Sequence, residues 1–133
     1  MDLPHTYTYI EDFGRALVSL GERDEALGQA WHVPNAATVS TRRFLEMAAE
    51  AAGRPLKMLA AGPILLTAVG LVNANMREFW EMRYEFEKPH VVDSSKFERA
   101  FGMRATPLGE AVRRTVDWFQ RSRLQTEVQP QPA

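Results

Sequence analysis

Residues Thr6 to Leu20 constrain the fold more than any other stretch, because they change structural period without a loop between. Thr6-Tyr7-Thr8-Tyr9 alternates β-branched and aromatic residues, the period-2 pattern of a short strand. Ile10, Phe13, Leu17 and Leu20 then recur at helical spacing, and Glu11 and Asp12 stand in the first turn, where carboxylates favour the positive end of the helix dipole. Gly21 is placed as a left-handed cap. A strand that feeds an acid-started helix implies an α/β arrangement, with the strand end turned toward a cleft. Tyr7 and Tyr9 share one side of that strand, where phenols can pack or touch a ligand.

The rest of the chain continues in the same mixed manner. Gln29–Val33 reads as a second strand ended by Pro34-Asn35, with Trp31 and Val33 on one face and His32 on the other. Thr38 or Ser40 caps a helix to about Ala52 whose stripe is Phe44, Leu45, Ala48, Ala51 and Ala52; Gly53 and Pro55 end it. Leu56–Leu59 is a candidate third strand. A long helical stretch opens at Gly62-Pro63, with a break expected near Val72–Asn75. His90-Val91-Val92 is a short strand, and Asp93 or Ser94 caps a helix that stops at Gly102. Thr106-Pro107 caps the last helix, with Leu108, Val112, Val116 and Phe119 as its stripe and Trp118 beside it. Residues 1–123 form the folded region and 124–133 a polar, proline-containing tail expected to be disordered. The fold class is therefore mixed α/β and helix-rich, with a few short strands and about five helices.

Composition removes several function classes. With 16 basic and 17 acidic residues the net charge is −1, so no long-range field selects nucleic acid or an anionic membrane. Cysteine is absent, which excludes disulfides, thiolate nucleophiles and Cys-based zinc sites. Met58 to Val72 is apolar but broken by Gly62-Pro63, and falls short of the roughly twenty residues a bilayer span needs. No signal peptide is visible at the start, and a cytoplasmic location is expected.

Pro4-His5-Thr6-Tyr7-Thr8-Tyr9-Ile10-Glu11-Asp12-Phe13-Gly14-Arg15-Ala16-Leu17 resembles the strand-to-helix signature in the C-terminal half of extended short-chain dehydrogenases/reductases, the NAD-dependent epimerase/dehydratase family. Gly28–Asn35, Val92–Gly102 and Thr106-Pro107-Leu108 with Thr115-Val116-Asp117-Trp118 resemble later family segments in colinear order. The resemblance covers about residues 4–120. It implies a partial fold, a substrate-binding lobe without the Rossmann half, in a family that uses NAD or NADP for epimerisation, dehydration or carbonyl reduction. It also places Gln29–Val33 in the large parallel sheet, so that without the other half its edge stands unpaired and open to self-association.

No G-x-G-x-x-G run is present, so no cofactor is expected on this chain alone. The family's catalytic pair is a tyrosine with a lysine four residues later. Tyr84 and Lys88 have that spacing, but they follow the Asp12 helix where the family pair precedes it, and Pro89 puts Lys88 at a helix end. An exposed helix terminus is the reading adopted, and no catalytic residue is assigned. His5, His32 and His90 share no metal-ligand spacing. Aligned on Ile10-Glu11-Asp12, His5 falls where many sugar-nucleotide members carry an arginine for the substrate diphosphate, and the departure to histidine puts such a substrate in doubt. Arg83 matches a second such arginine, or pairs with Glu87 as a surface residue. Asp12 reads as an acid that holds a helix start, not a proton shuttle; Asn73 and Asn75 read as a helix break. The substrate-binding candidates are His5, Tyr7 and Arg83.

Two functions remain open on the sequence. One is the substrate-binding lobe, which meets a small-molecule substrate only when a Rossmann half completes it and is inactive alone. The other is a free-standing binding or interaction module whose apolar surface is residues 58–80. A decayed gene without a selected role is a third, duller reading.

Overall fold

The computed structural model describes residues 2–57 and 88–128, with side chains to Arg123. Among these residues the protein is a helix-rich mixed α/β fold of four α-helices and one two-stranded sheet. In chain order they are β1 (Pro4–His5), α1 (Ile10–Gly21), a 3-10 turn (Asp24–Ala26), β2 (Val39–Ser40), α2 (Thr41–Ala51), α3 (Ser95–Phe101) and α4 (Leu108–Val128).

The sheet is smaller than the alternation predicts, and it sits two residues earlier. β1 and β2 pair antiparallel through Pro4↔Ser40 and His5↔Val39. His5 also forms an isolated parallel bridge to His90, with His90 N–H donating to Pro4 O at 2.9 Å and Thr6 N–H to His90 O at 2.8 Å. Thr6 to Tyr9, expected as strand, lie outside the ladder and are fixed by side chains instead. The Thr6 and Thr38 hydroxyls are 2.9 Å apart, and Val92 N–H donates to Thr6 Oγ1 at 3.0 Å. Threonine favours strands for its branched Cβ, but its hydroxyl can also replace a ladder bond, which the alternation does not reveal.

Gln29–Val33 likewise forms no strand. The expected alternation survives, with Trp31 and Val33 half-buried and His32 exposed, but the segment is tied to α3 rather than to a neighbouring strand. Trp31 packs against Phe101 with centroids 4.8 Å apart and meets Phe97 edge-on at 6.2 Å. Its Nε1–H donates to Ala26 O at 3.0 Å, Lys96 Nζ lies 4.0 Å from its ring centroid, and the same ammonium donates to Ala30 O. Phe97 is fully buried in this cluster. Of the candidate third strand, Leu56 and Lys57 are not in a strand. The Gly62 helix, the Val72–Asn75 break and the 58–80 surface lie outside the described residues.

The helices follow the local signals closely. Ser40 caps α2, its hydroxyl accepting Arg43 N–H at 3.2 Å, as its residue type favours. Gly102 ends α3 at φ 68°, a left-handed position that glycine occupies without a Cβ penalty. Gly21 differs from expectation: it is the last residue of α1, and the following Glu22 is right-handed, so no left-handed cap forms there. At α3, Asp93 Oδ1 accepts Ser95 N–H at 2.8 Å while the Ser94 hydroxyl donates to Glu98. α4 runs to Val128, beyond the Leu124 boundary set for the tail.

α1 faces the molecule in an unexpected sense. Asp12 and Ala16 are its buried residues, whereas Ile10 (73 %), Phe13 (40 %) and Leu17 (52 %) are exposed. Most of its apolar stripe is exposed, with Leu20 half-buried.

Candidate functional site

Asp12 is 1 % exposed, and the region around it is built from its carboxylate. One oxygen accepts Thr106 N–H at 2.7 Å and the other the Thr106 hydroxyl at 2.8 Å; Arg15, one turn along α1, donates to the latter oxygen as well. Burial pushes the carboxyl pKa up, but the Thr106 backbone bond, the Arg15 guanidinium and the Thr106 hydroxyl outweigh it, and the net shift is downward. Asp12 is therefore an anchored anion that joins the start of α1 to the start of α4. Thr106 was expected to cap α4; its hydroxyl serves Asp12, and Glu110 and Ala111 N–H donate to Pro107 O.

That junction bounds a cavity of about 340 Å³. One wall is the turn into α1, from Tyr7 through Ile10, with Asp12 behind it. Phe44 and Ala48 of α2 form a second wall beside Ala36, and α4 supplies Leu108, Ala111, Val112, Thr115 and Val116. α2 packs against α4, which fixes two of the three walls relative to each other. Tyr7 stacks on Phe44 with ring centroids 4.2 Å apart and 17° between planes, and its hydroxyl donates to Thr41 Oγ1 at 3.1 Å. Tyr7 and Tyr9 both line this cavity, but so does Thr8 between them, so the two-residue alternation of a strand does not describe this turn.

The polar atoms around this space are already engaged. Thr8 donates to Asn35 Oδ1 at 2.5 Å and Thr115 to Ala111 O at 2.8 Å. Tyr9 has its phenol pKa pushed up, first by burial and then by the hydrogen bond and charge of Glu11, with Arg114 opposing. A phenol held protonated supplies no base at neutral pH. Arg114 itself reaches Glu110 at 2.5 Å and Glu11 at 3.6 Å.

Of the two substrate-binding candidates among the described residues, Tyr7 is on the cavity and His5 is not. His5 is in β1, its Nδ1 3.1 Å from Leu3 O, and is not among the lining residues. Arg83 lies outside the described residues, as does Tyr84; Lys88 is exposed. Sequence reasoning did not single out Phe44, Ala48 or Val112 for a site, although each lies on an apolar stripe it identified. Among the described residues no group of three or more His, Cys, Asp or Glu side chains is arranged to hold a metal ion, and no helix is long and apolar enough to cross a membrane.

Among the described residues, Gly28, Gly53 and Gly102 have positive φ and lie far apart in the sequence, and α1 carries Glu11 and Asp12 in its first turn. No family model, curated protein or solved structure matches this chain.

Proposed function

We propose that the chain is the substrate-binding lobe of an NAD(P)-dependent epimerase/dehydratase-like protein, inactive by itself. Its role is to wall a reactant while a separate nucleotide-binding half brings the nicotinamide. The observation that carries this reading is the cavity at the turn from Tyr7 into α1, the place where the resemblance puts the substrate. The outward part of the α1 stripe supports it too, since Phe13 and Leu17 are exposed on a face suited to cover by another surface.

The residues act here by shape and exclusion. Tyr7 is locked by its stack on Phe44 and its bond to Thr41, so it presents a fixed ring rather than a mobile one. Asp12 holds α1 to α4 and thereby sets the distance between two walls.

Titration of the purified chain with NADH and NADPH, followed by nicotinamide fluorescence, tests the reading; no saturable binding is expected, and micromolar affinity overturns it. The coding DNA before Met1 supplies a second test. An in-frame glycine-rich βαβ unit and a Tyr-x-x-x-Lys helix support the lobe. A promoter and ribosome site directly before Met1 favour the alternative, a free-standing binding or interaction module with its apolar surface at residues 58–80.

A further inference from the structure

We propose that the cavity between Tyr7–Asp12, α2 and α4 takes an uncharged, mainly apolar small molecule rather than a nucleotide sugar. The inference rests on the lobe reading and assigns its substrate class. Among the described lining residues there is no lysine, arginine or histidine, and the one charge is Asp12. Both Asp12 oxygens are occupied by Thr106 and Arg15. The hydroxyls of Tyr7, Thr8 and Thr115 already donate to protein oxygens. A diphosphate placed here would lose its water and meet a carboxylate in place of a cation, a desolvation that none of the described lining residues offsets. The neighbouring cations do not relieve this, because Arg15 is held by Asp12 and Arg114 by Glu110 and Glu11.

An apolar ligand faces the opposite balance. Phe44, Ala48, Leu108, Val112 and Val116 offer it contact, and no polar group on the walls must give up a partner to admit it. Apolar cavities of this kind hold water poorly and accept hydrocarbon-like guests. At about 340 Å³ the space stands at the low end of small-molecule pockets, which run about 300–1,000 Å³, and suits a small ring system.

The test uses the full chain and 1-naphthol, an uncharged ring system of that size, with UDP-glucose as the charged comparator. Titrations are followed by naphthol fluorescence, by calorimetry, and by NMR of the Leu and Val methyl groups. Saturable 1-naphthol binding is expected, with the largest shifts at Leu108, Val112 and Val116. Ala48→Phe and Val116→Trp fill the space and should weaken binding about tenfold or more in whichever retains wild-type circular dichroism. The methyl shifts locate the guest even where neither variant folds. Absence of saturable binding, or shifts confined to other methyl groups, overturns the assignment. Saturable UDP-glucose binding also overturns it while leaving the lobe reading intact; NADH binding to the chain sinks the lobe reading itself.

Discussion

Replacing Asp12 gives the sharpest measure of what holds this fold together. The carboxylate accepts two hydrogen bonds from Thr106, at 2.7 and 2.8 Å, and one from Arg15. Hydrogen bonds to a charged group contribute about 1.5–3 kcal/mol each against about 0.5–1.5 for neutral pairs. Asp12→Asn keeps the shape and lets Thr106 N–H and Oγ1 find neutral partners, so the two bonds together lose about 2 kcal/mol. The Arg15 guanidinium is 59 % exposed, and its share, screened by water, is about 0–1 kcal/mol. Asp12→Ala removes both Thr106 bonds and leaves a backbone donor unmatched, for about 3–5 kcal/mol. At about 4 °C per kcal/mol for a chain of this length, thermal melts should fall by about 8 °C for the asparagine variant and about 12–20 °C for the alanine variant.

A double-mutant cycle separates this clasp from simple loss of packing. Thr106→Val removes the hydroxyl bond alone, and combined with Asp12→Ala it should cost about 1–2 kcal/mol less than the sum of the single changes. Additive effects, or an Asp12→Ala cost below about 1 kcal/mol, would refute the clasp. Acid gives an independent reading. The folded carboxyl has a depressed pKa, so its stabilising contribution is fully present above the unfolded value of about 3.9 and disappears as pH falls through the lower folded value. Urea unfolding of the wild type should weaken below about pH 4, while Asp12→Asn should lose this part of the acid dependence. A variant that tracks the wild type through that window would assign the acid sensitivity to another group.

Phe97→Ala should destabilise by about 3–5 kcal/mol in urea melts, because Phe97 is fully buried and Trp31 and Phe101 pack against it. A cost below about 1 kcal/mol would mean that the cluster closes over the gap. Gly102→Ala should cost about 1–2 kcal/mol from its left-handed backbone alone, since an added Cβ there meets no atom within 4 Å. Phe13→Lys with Leu17→Lys should leave thermal stability nearly unchanged but abolish concentration-dependent association in sedimentation; a wild type that stays monomeric at high concentration contradicts a role for this face in self-association.

What could be read beforehand was local. The start of α1, the Ser40 cap, the end of α2 at Gly53 and the glycine stop at Gly102 each depend on residues within a turn or two, and each is where the residue types place it. The strands were misjudged because a ladder needs a partner at matching register. Thr6–Tyr9 has strand composition, yet the pairing is supplied by Val39–Ser40 to Pro4–His5. Gln29–Val33 keeps its alternation for a different reason, the docking of Trp31 on Phe97 and Phe101. Little of the site was legible: Tyr7 and Tyr9 do reach the cavity, but in an irregular turn where Thr8 lines it as well, and the Thr106 hydroxyl that donates to Asp12 is 94 residues away, a separation no spacing announces.

α1 shows why periodicity alone is an incomplete guide to a core. Its stripe was found correctly, and periodicity says only that one face is apolar, not that this face turns inward. Here Asp12 decides the matter. A carboxylate bonded to Thr106 sets the helix so that Asp12 and Ala16 face the interior; Phe13 and Leu17 then point away, and Ile10 stands exposed at the edge of the cavity. Turning the helix over would bury the large side chains of Phe13 and Leu17, at about 1.5–3 kcal/mol each, but would break the bonds to Thr106 and leave the Asp12 carboxylate and its two Thr106 donors without partners. The two costs are of similar size for the chain by itself. A second surface laid on α1 removes the conflict, since it covers the stripe without disturbing Asp12. The orientation of α1 thus ties the clasp inside the fold to the apolar face outside it.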